Sequence, residues 1–190
     1  SGNGLGRHLG ISRPGHGAFR TLLEGRPRAI DTGTVNDFAF FNAMGLGFEA
    51  DIAVRFSRLT RRGLSGYFRV GVPSFFSHQP EAVTVHHPHG TAQLQAFTLA
   101  VMNSDQYGND ARVAPGAKID DGMFDLVSVP RVGFFSACGM LYRLGTDSFD
   151  QVKAVTRLHG ANFVIERTKP GWIHTDGEPR ATTARLEIAL

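Results

Sequence analysis

Short apolar runs separated by turn residues recur at regular spacing through the second half of the chain. Runs of this length, bounded by glycine, proline and acidic residues, are typical of β-strands. A series of short strands joined by turns is typical of an antiparallel sandwich. The runs span residues 152–158, 163–166, 172–175 and 185–190.

The middle of the chain has the same strand character, with helical patterns around it. We therefore predict an α+β fold that is mainly β, an antiparallel β-sandwich-like domain with a few peripheral helices. Strands are predicted at 29–35, 38–44, 83–85, 92–99 and 123–129, and an unbroken apolar run covers 96–102. Helices are predicted at 5–11, 17–24, 46–59 and 132–144, whereas 64–76 is aromatic and ambiguous.

Composition and charge narrow the classes of protein. A chain of 190 residues with 42% hydrophobic residues can bury a real core. The net charge of +3 is too mild to indicate a nucleic-acid partner. The single cysteine, Cys138, excludes an internal disulfide and fits a reducing compartment, so we expect a cytoplasmic protein. No apolar run is long enough to span a bilayer, so we expect it to be soluble or peripheral.

The polar stretch 103–125 separates two of the strand-like runs and is rich in carboxylates. Asp120, Asp121 and Asp125 lie within six residues, and Gly122 provides a turn that lets backbone carbonyls face the same point as a side chain. One or two carboxylates with carbonyls and water would suit Mg²⁺ better than a full calcium cage. A solvated polar turn is the alternative interpretation.

Three further stretches contain residues of catalytic or binding type. Residues 1–6 form a glycine-rich turn before a helix, which either holds phosphate groups or simply begins the helix. Residues 176–178 form a type I′ hairpin, or else two carboxylates that act as a base and as a metal or nucleotide contact. Among the histidines at 86, 87 and 89, the first two would point to opposite faces of a strand, which disfavours a zinc site.

Five motifs follow one another along nearly the whole chain. They are Gly2-Asn3-Gly4-Leu5-Gly6 with the residues after it, Ile30-Asp31-Thr32-Gly33, the segment 41–50, the stretch 103–125 with Ala114-Pro115 and Asp121-Gly122, and Asp176-Gly177-Glu178. In this order they resemble the lipid kinases of the diacylglycerol kinase and sphingosine kinase superfamily, whose fold is related to that of NAD kinase.

The resemblance implies a two-domain enzyme that binds ATP and Mg²⁺ in the cleft between its domains. This chain, residues 1–190, would be the C-terminal, β-rich domain. The family's Gly-Gly-Asp-Gly-Thr nucleotide motif occurs nowhere in it, so we expect the N-terminal nucleotide-binding domain to be absent from this chain. Gly4 and the sequence at 106–108 also depart from the pattern of many diacylglycerol kinases, which leaves the lipid acceptor open.

The same resemblance implies roles for individual residues. The reaction would be phosphoryl transfer from ATP to a lipid hydroxyl, with a diacylglycerol or a sphingoid base as acceptor. Glu178 or Asp176 would accept the hydroxyl proton, and the sequence does not separate the two. The other implied sites are a metal site of Asp121 with the carbonyls of Lys118 and Met123, and a nucleotide-binding loop of Ser1, Gly2 and Asn3.

Two alternatives remain at this stage. One is an enzyme like NAD kinase, acting on a soluble nucleotide, and the other is a lipid-binding or regulatory domain without catalysis. For the kinase interpretation we expect the full-length protein to be active and this chain alone to be inactive. A homo-oligomer is left open.

An arginine-rich segment suggests how such a protein would reach a membrane lipid. The arginines are interleaved with bulky apolar residues, a mixture that binds anionic bilayer surfaces, although a helix with a solvated basic face fits the pattern as well. At about 1 kcal/mol for each basic side chain, we expect peripheral, salt-sensitive binding to anionic vesicles, measured by co-sedimentation. The arginines are Arg55, Arg58, Arg61, Arg62 and Arg69.

Overall fold

The computed structural model describes residues 3–11, 16–57 and 64–190, with side chains for all of these except residues 16 and 64–69. Five helices lie in this part of the chain: α1 (Gly4–His8), α2 (His16–Glu24), α3 (Phe48–Ser57), α4 (Leu64–Ser77) and α5 (Phe134–Gly145). Ser1, Gly2 and most of the arginine-rich segment's side chains lie outside the described residues.

Fourteen strands lie in the described part of the chain. The first seven are β1 (Gly33–Val35), β2 (Phe38–Phe40), β3 (Ala43–Gly47), β4 (Glu81–His87), β5 (Gly90–Ala96), β6 (Thr98–Met102) and β7 (Gln106–Gly108). The others are β8 (Ala111–Arg112), β9 (Phe124–Val129), β10 (Thr156–Gly160), β11 (Asn162–Arg167), β12 (Gly171–Thr175), β13 (Glu178–Thr182) and β14 (Arg185–Ala189).

These strands form two six-stranded sheets and one small ribbon. The first sheet has the order β2-β1-β14-β11-β4-β5, the second has the order β10-β9-β6-β3-β12-β13, and β7 pairs with β8. Every pair of neighbours is antiparallel. The prediction of a mainly β, antiparallel sandwich-like domain is therefore confirmed.

The main core lies between the two large sheets. Phe40 on the first sheet meets Phe124 on the second, with ring centroids 5.3 Å apart. The strands contribute alternate residues to this layer, as half-buried strands require. Its fully buried large side chains include Phe40, Met44, Leu46, Leu99, Phe124, Leu126, Phe163, Ile165, Ile173 and Leu186.

A second apolar cluster covers the opposite face of the second sheet. Ala100, Met102 and Val127 alternate with the core-facing residues of β6 and β9, and they pack against Phe149 and Val155. With both faces of the second sheet covered, its strands are apolar throughout, which explains the unbroken apolar run in the sequence. The loops that follow these strands are consequently held against a packed layer.

Three predicted boundaries were wrong because the chain changes sheet. The predicted strand 38–44 is two strands, β2 and β3, and the predicted strand 92–99 runs from β5 into β6. In both cases the second strand belongs to the second sheet. The predicted helix 46–59 begins only at Phe48, since residues 46 and 47 end β3. Gly47 makes this switch with φ +80°, and a Cβ there would stand 2.7 Å from the Phe97 carbonyl oxygen, so a glycine is required. Strands β7, β8 and β13 were not predicted.

The remaining elements agree with the sequence in type if not in length. The ambiguous segment 64–76 is helical, as α4, and α5 covers the predicted helix 132–144. The predicted strand 152–158 is only β10, after a short 3-10 turn at 149–151. Among the described helices, none has the length and apolar character needed to cross a membrane.

Candidate functional site

The hairpin between β12 and β13 presents two of the candidate residues. Its turn consists of Asp176 with φ 51° and Gly177 with φ 88°, the positive dihedrals of a type I′ turn. Thr175 pairs with Glu178 across the start of the ladder, so Glu178 is the first residue of β13. The predicted hairpin is therefore present, and it places both carboxylates at one end of the second sheet.

The Asp176 carboxylate is occupied by the backbone. One oxygen accepts the amides of Asn42 at 2.8 Å and Ala43 at 3.0 Å, and the other accepts the amide of Phe41 at 2.8 Å. The Asp176 amide in turn donates to the Ala43 carbonyl at 2.8 Å. These bonds fasten the turn to the segment between β2 and β3.

Glu178 is exposed, as Asp176 is, but it differs from Asp176 in its partners. Among the described residues, its side chain has neither a hydrogen-bond partner nor an ion-pair partner. No side chain of the described residues therefore occupies its carboxylate. Glu178 directly follows the turn that the Asp176 hydrogen bonds hold in place.

Two amide side chains, Asn42 and Asn103, connect this hairpin to the stretch after β6. Asn42 donates to the Gln106 carbonyl at 3.2 Å and accepts the Ser104 hydroxyl at 2.5 Å. Asn103, fully buried, donates to the carbonyls of Phe41 and Asp31, each at 2.8 Å. The polar residues that follow β6 are therefore hydrogen-bonded to the segment that holds the hairpin.

Asp31 joins this network to the candidate metal loop. Its amide donates to the Ile119 carbonyl at 2.7 Å, and its carboxylate accepts the Gly122 amide at 2.7 Å. Because Asn103 binds the carbonyl of the same Asp31, the loop and the hairpin belong to one hydrogen-bonded unit.

The three carboxylates of the loop have separate environments. Asp120 binds Arg28 at 2.6 Å. Asp125 lies 3.2 Å from His159, and burial raises the pKa of its carboxyl above the usual value although His159 opposes that rise. Asp121 is exposed and one of its oxygens accepts the Met123 amide at 3.1 Å. Of the three, only Asp121 has no arginine or histidine partner among the described residues, which leaves one carboxylate where one or two were expected.

The residues left at this loop fit a hard cation only in part. Asp121, with the carbonyl groups of Lys118 and Met123 on either side of the turn at Gly122, offers oxygen donors alone, which is the chemistry Mg²⁺ prefers. Within the described residues there is no cluster of three or more His, Cys, Asp or Glu that could hold a metal. Water would have to complete the coordination.

Helix α1 lies against the same region. Asn3, the described member of the predicted nucleotide loop, has φ 51° and forms a bridge with Gly108. A Cβ on Gly4 would stand 2.6 Å from the Gln106 carbonyl oxygen, so a glycine there permits the close approach of helix and loop. His8 binds Asp105 at 2.7 Å, and this pair anchors the other end of the helix.

Comparisons with known proteins agree with this architecture. Residues 42–188 match the family described as the YegS C-terminal NAD kinase beta sandwich-like domain. The chain belongs to this family. The resemblance to diacylglycerol kinase-like proteins that the motifs indicated is thereby confirmed.

Relatives of this YegS-type domain are named as lipid kinases. A protein of Chromohalobacter salexigens called "Probable lipid kinase YegS-like" is 34% identical over 131 residues, covering 68% of this chain and 42% of that protein. The "Diacylglycerol kinase" of Bacillus subtilis is 30% identical over 128 residues, covering 66% of this chain and 42% of that protein. The chain thus spans less than half the length of either relative.

The fold is shared with solved structures. A diacylglycerol kinase from Bacillus anthracis superposes with a TM-score of 0.66 at 16% identity, covering 98% of this chain and 60% of that one. At this identity the comparison shows the fold of the YegS-type domain alone.

Several of these residues lie within the sequence motifs, but the motifs indicated no role for them. Asp31, Asn42 and Asn103 tie the loop to the hairpin, yet each is only a polar residue beside an apolar run in the sequence. His174 was missed entirely, although it is a polar residue in an apolar strand two positions before the Asp176 turn. The available signal in the sequence was this polar residue in an apolar strand, because a polar side chain buried in a strand needs a hydrogen-bond partner.

Proposed function

We propose that this chain is the C-terminal domain of an ATP-dependent lipid kinase that phosphorylates a lipid hydroxyl, with a diacylglycerol or a sphingoid base as acceptor. The observation that carries the proposal is the exposed Glu178, which has no partner among the described residues, on a hairpin that Asp176 fastens to the segment 41–43. The membership in the YegS-type family and the names of its relatives support it.

Glu178 is the better candidate for the general base. The Asp176 carboxylate already accepts three backbone N–H groups, which leaves its oxygens little capacity for a substrate proton. Glu178 would take the proton of an acceptor hydroxyl, and the hydroxyl oxygen would attack the terminal phosphorus of ATP. The bond from that phosphorus to the bridging oxygen would break, and ADP would leave. Asp176 then holds the turn that presents Glu178.

The other sites have supporting roles in this proposal. Asn3 would contact phosphate together with Ser1 and Gly2, and Asp121 with the carbonyls of Lys118 and Met123 would hold Mg²⁺. A bound Mg²⁺ would supply positive charge and fixed oxygen coordination at the 118–123 loop. Because Asp31 and Asn103 connect this loop to the segment that binds Asp176, order in the loop would favour order in the hairpin.

A substrate panel tests the function. The full-length protein is expected to transfer the terminal phosphate of ATP to a diacylglycerol or a sphingoid base in mixed micelles, and not to NAD, whereas this chain alone should transfer none. Thin-layer separation of radiolabelled products measures this directly. Phosphorylation of NAD without lipid phosphorylation would favour the NAD-kinase-like alternative, and comparable lipid turnover by the isolated chain would contradict the assignment as one domain of two.

Binding of Mg²⁺ at the 118–123 loop would change the stability of the protein. Mg²⁺ at about 100 times its dissociation constant should stabilise the full-length protein by about 2.7 kcal/mol, and Asp121→Asn should remove most of that gain. Asp120→Asn is the matched control, because the Asp120 carboxylate is paired with Arg28 instead. The measurement is the melting temperature with Mg²⁺ and with EDTA. An equal response of Asp121→Asn and wild type would place the cation elsewhere.

A further inference from the structure

Behind the hairpin, three side chains from three different elements meet. Tyr107 from β7 donates its hydroxyl to the Glu49 carboxylate, and Nε2 of His174 on β12 lies 3.5 Å from the same carboxylate oxygen. The rings of Tyr107 and His174 are 6.1 Å apart at 66°. The His174 side chain is only 7% exposed and that of Glu49 16% exposed, so the group is largely shielded from water.

The space for this group depends on Gly45 of β3. A Cβ at that position would stand 1.9 Å from Glu49 Oε1 and 2.8 Å from His174 Nε2. Glu49 lies in the first turn of α3, where the positive end of the helix dipole favours a carboxylate. Burial and the neighbouring Glu49 raise the pKa of Tyr107 well above its ordinary value, so its hydroxyl keeps the proton that it donates.

His174 connects this buried carboxylate to the turn that precedes Glu178. Its Nδ1 accepts the amide of Gly177 at 3.3 Å, so that nitrogen carries no proton. Its other nitrogen, Nε2, faces the Glu49 carboxylate. The imidazole is therefore held from both sides, by the Gly177 amide and by Glu49.

Both turn residues are consequently held, and by different partners. Asp176 is bound by the segment 41–43, and Gly177 is bound by His174. We propose that His174, oriented by Glu49 and Tyr107, is a positioning residue for Glu178. This inference rests on the proposed function, because it assigns His174 a part in presenting the proposed base.

Two isosteric replacements of His174 separate positioning from simple packing. In His174→Asn the amide oxygen can stand where Nδ1 stands and still accept the Gly177 amide. In His174→Gln the amide group reaches the Nε2 position near Glu49 and the acceptor for Gly177 is lost. A role that is only packing would make the smaller asparagine the more damaging change, because it leaves the larger cavity.

In the full-length protein, His174→Gln is expected to lower kcat by about 10- to 100-fold with KM for ATP and lipid within about twofold, because a misplaced base affects the transition state alone. His174→Asn should stay within about threefold of wild type, and Tyr107→Phe should show a smaller loss of kcat than His174→Gln. His89→Gln, an exposed histidine in the β4–β5 turn, is the matched control and should have no effect.

Hydrogen exchange at the Gly177 amide provides a readout that does not depend on turnover. We expect exchange about tenfold faster in His174→Gln than in wild type, and unchanged exchange in His174→Asn. Equal loss in the two His174 variants, or a wild-type kcat in His174→Gln, would overturn the inference while lipid phosphorylation by the wild type still supports the proposed function. Absence of lipid phosphorylation by the wild type would instead remove the proposed function, and the positioning role with it.

Discussion

Glu178→Gln in the full-length protein is expected to lower kcat for lipid phosphorylation by about 10²- to 10⁴-fold, the usual contribution of a general base. The amide has nearly the same shape as the carboxylate but cannot take up the proton of the acceptor hydroxyl. Glu178 is exposed and has no partner within the described structure, so the change should leave the stability of the fold nearly unaltered.

The matched control for this variant is Glu187→Gln. Glu187 is also an exposed glutamate on a strand, and its ion pair with Arg185 lies on the surface, where solvent screens it. Steady-state kinetics with ATP and lipid varied separately would be measured for both variants. If Glu178→Gln kept kcat within about fivefold of wild type, Glu178 would not be the base, and the lipid-binding alternative without catalysis would gain support.

Asp176→Asn should both destabilise the protein and reduce turnover. The carboxylate accepts three backbone amides from residues 41–43, whereas an asparagine offers one oxygen and turns an NH₂ group toward a donor. Losing one hydrogen bond to a charged acceptor should cost about 1.5–3 kcal/mol in the free energy of unfolding. With the turn loosened, we expect kcat to fall by about 10²-fold.

Asp37→Asn is the corresponding control, since Asp37 is an exposed aspartate in the β1–β2 turn and should change stability by less than about 0.5 kcal/mol. Urea unfolding followed by circular dichroism gives the free energies, and they should be read beside the kinetics. An Asp176→Asn protein as stable as wild type would show that water replaces the carboxylate at these amides, and the fastening role would then be wrong.

Much of the fold followed from local patterns. Alternating apolar residues, short runs and turn residues predicted the sandwich, and Asp176-Gly177 predicted its own hairpin, because the left-handed dihedrals of a type I′ turn are a property of those residue types. The wrong predictions of strand and helix boundaries occurred where distant contacts, and not local patterns, determine the backbone. The switch of sheet at Gly47 depends on the Phe97 carbonyl, fifty residues away, and only the packed sheets bring the two together.

The sequence by itself therefore determined the class of fold, the motifs and the short set of carboxylates among which a base and a metal ligand would be found. It left Asp176 and Glu178 equivalent, since both flank the same glycine. Tertiary structure distinguished them through hydrogen bonds to the 41–43 segment across 133 to 135 positions of the chain. It likewise assembled Glu49, Tyr107 and His174, because contacts between elements this distant exist only once the sheets have packed and excluded water from the polar groups between them.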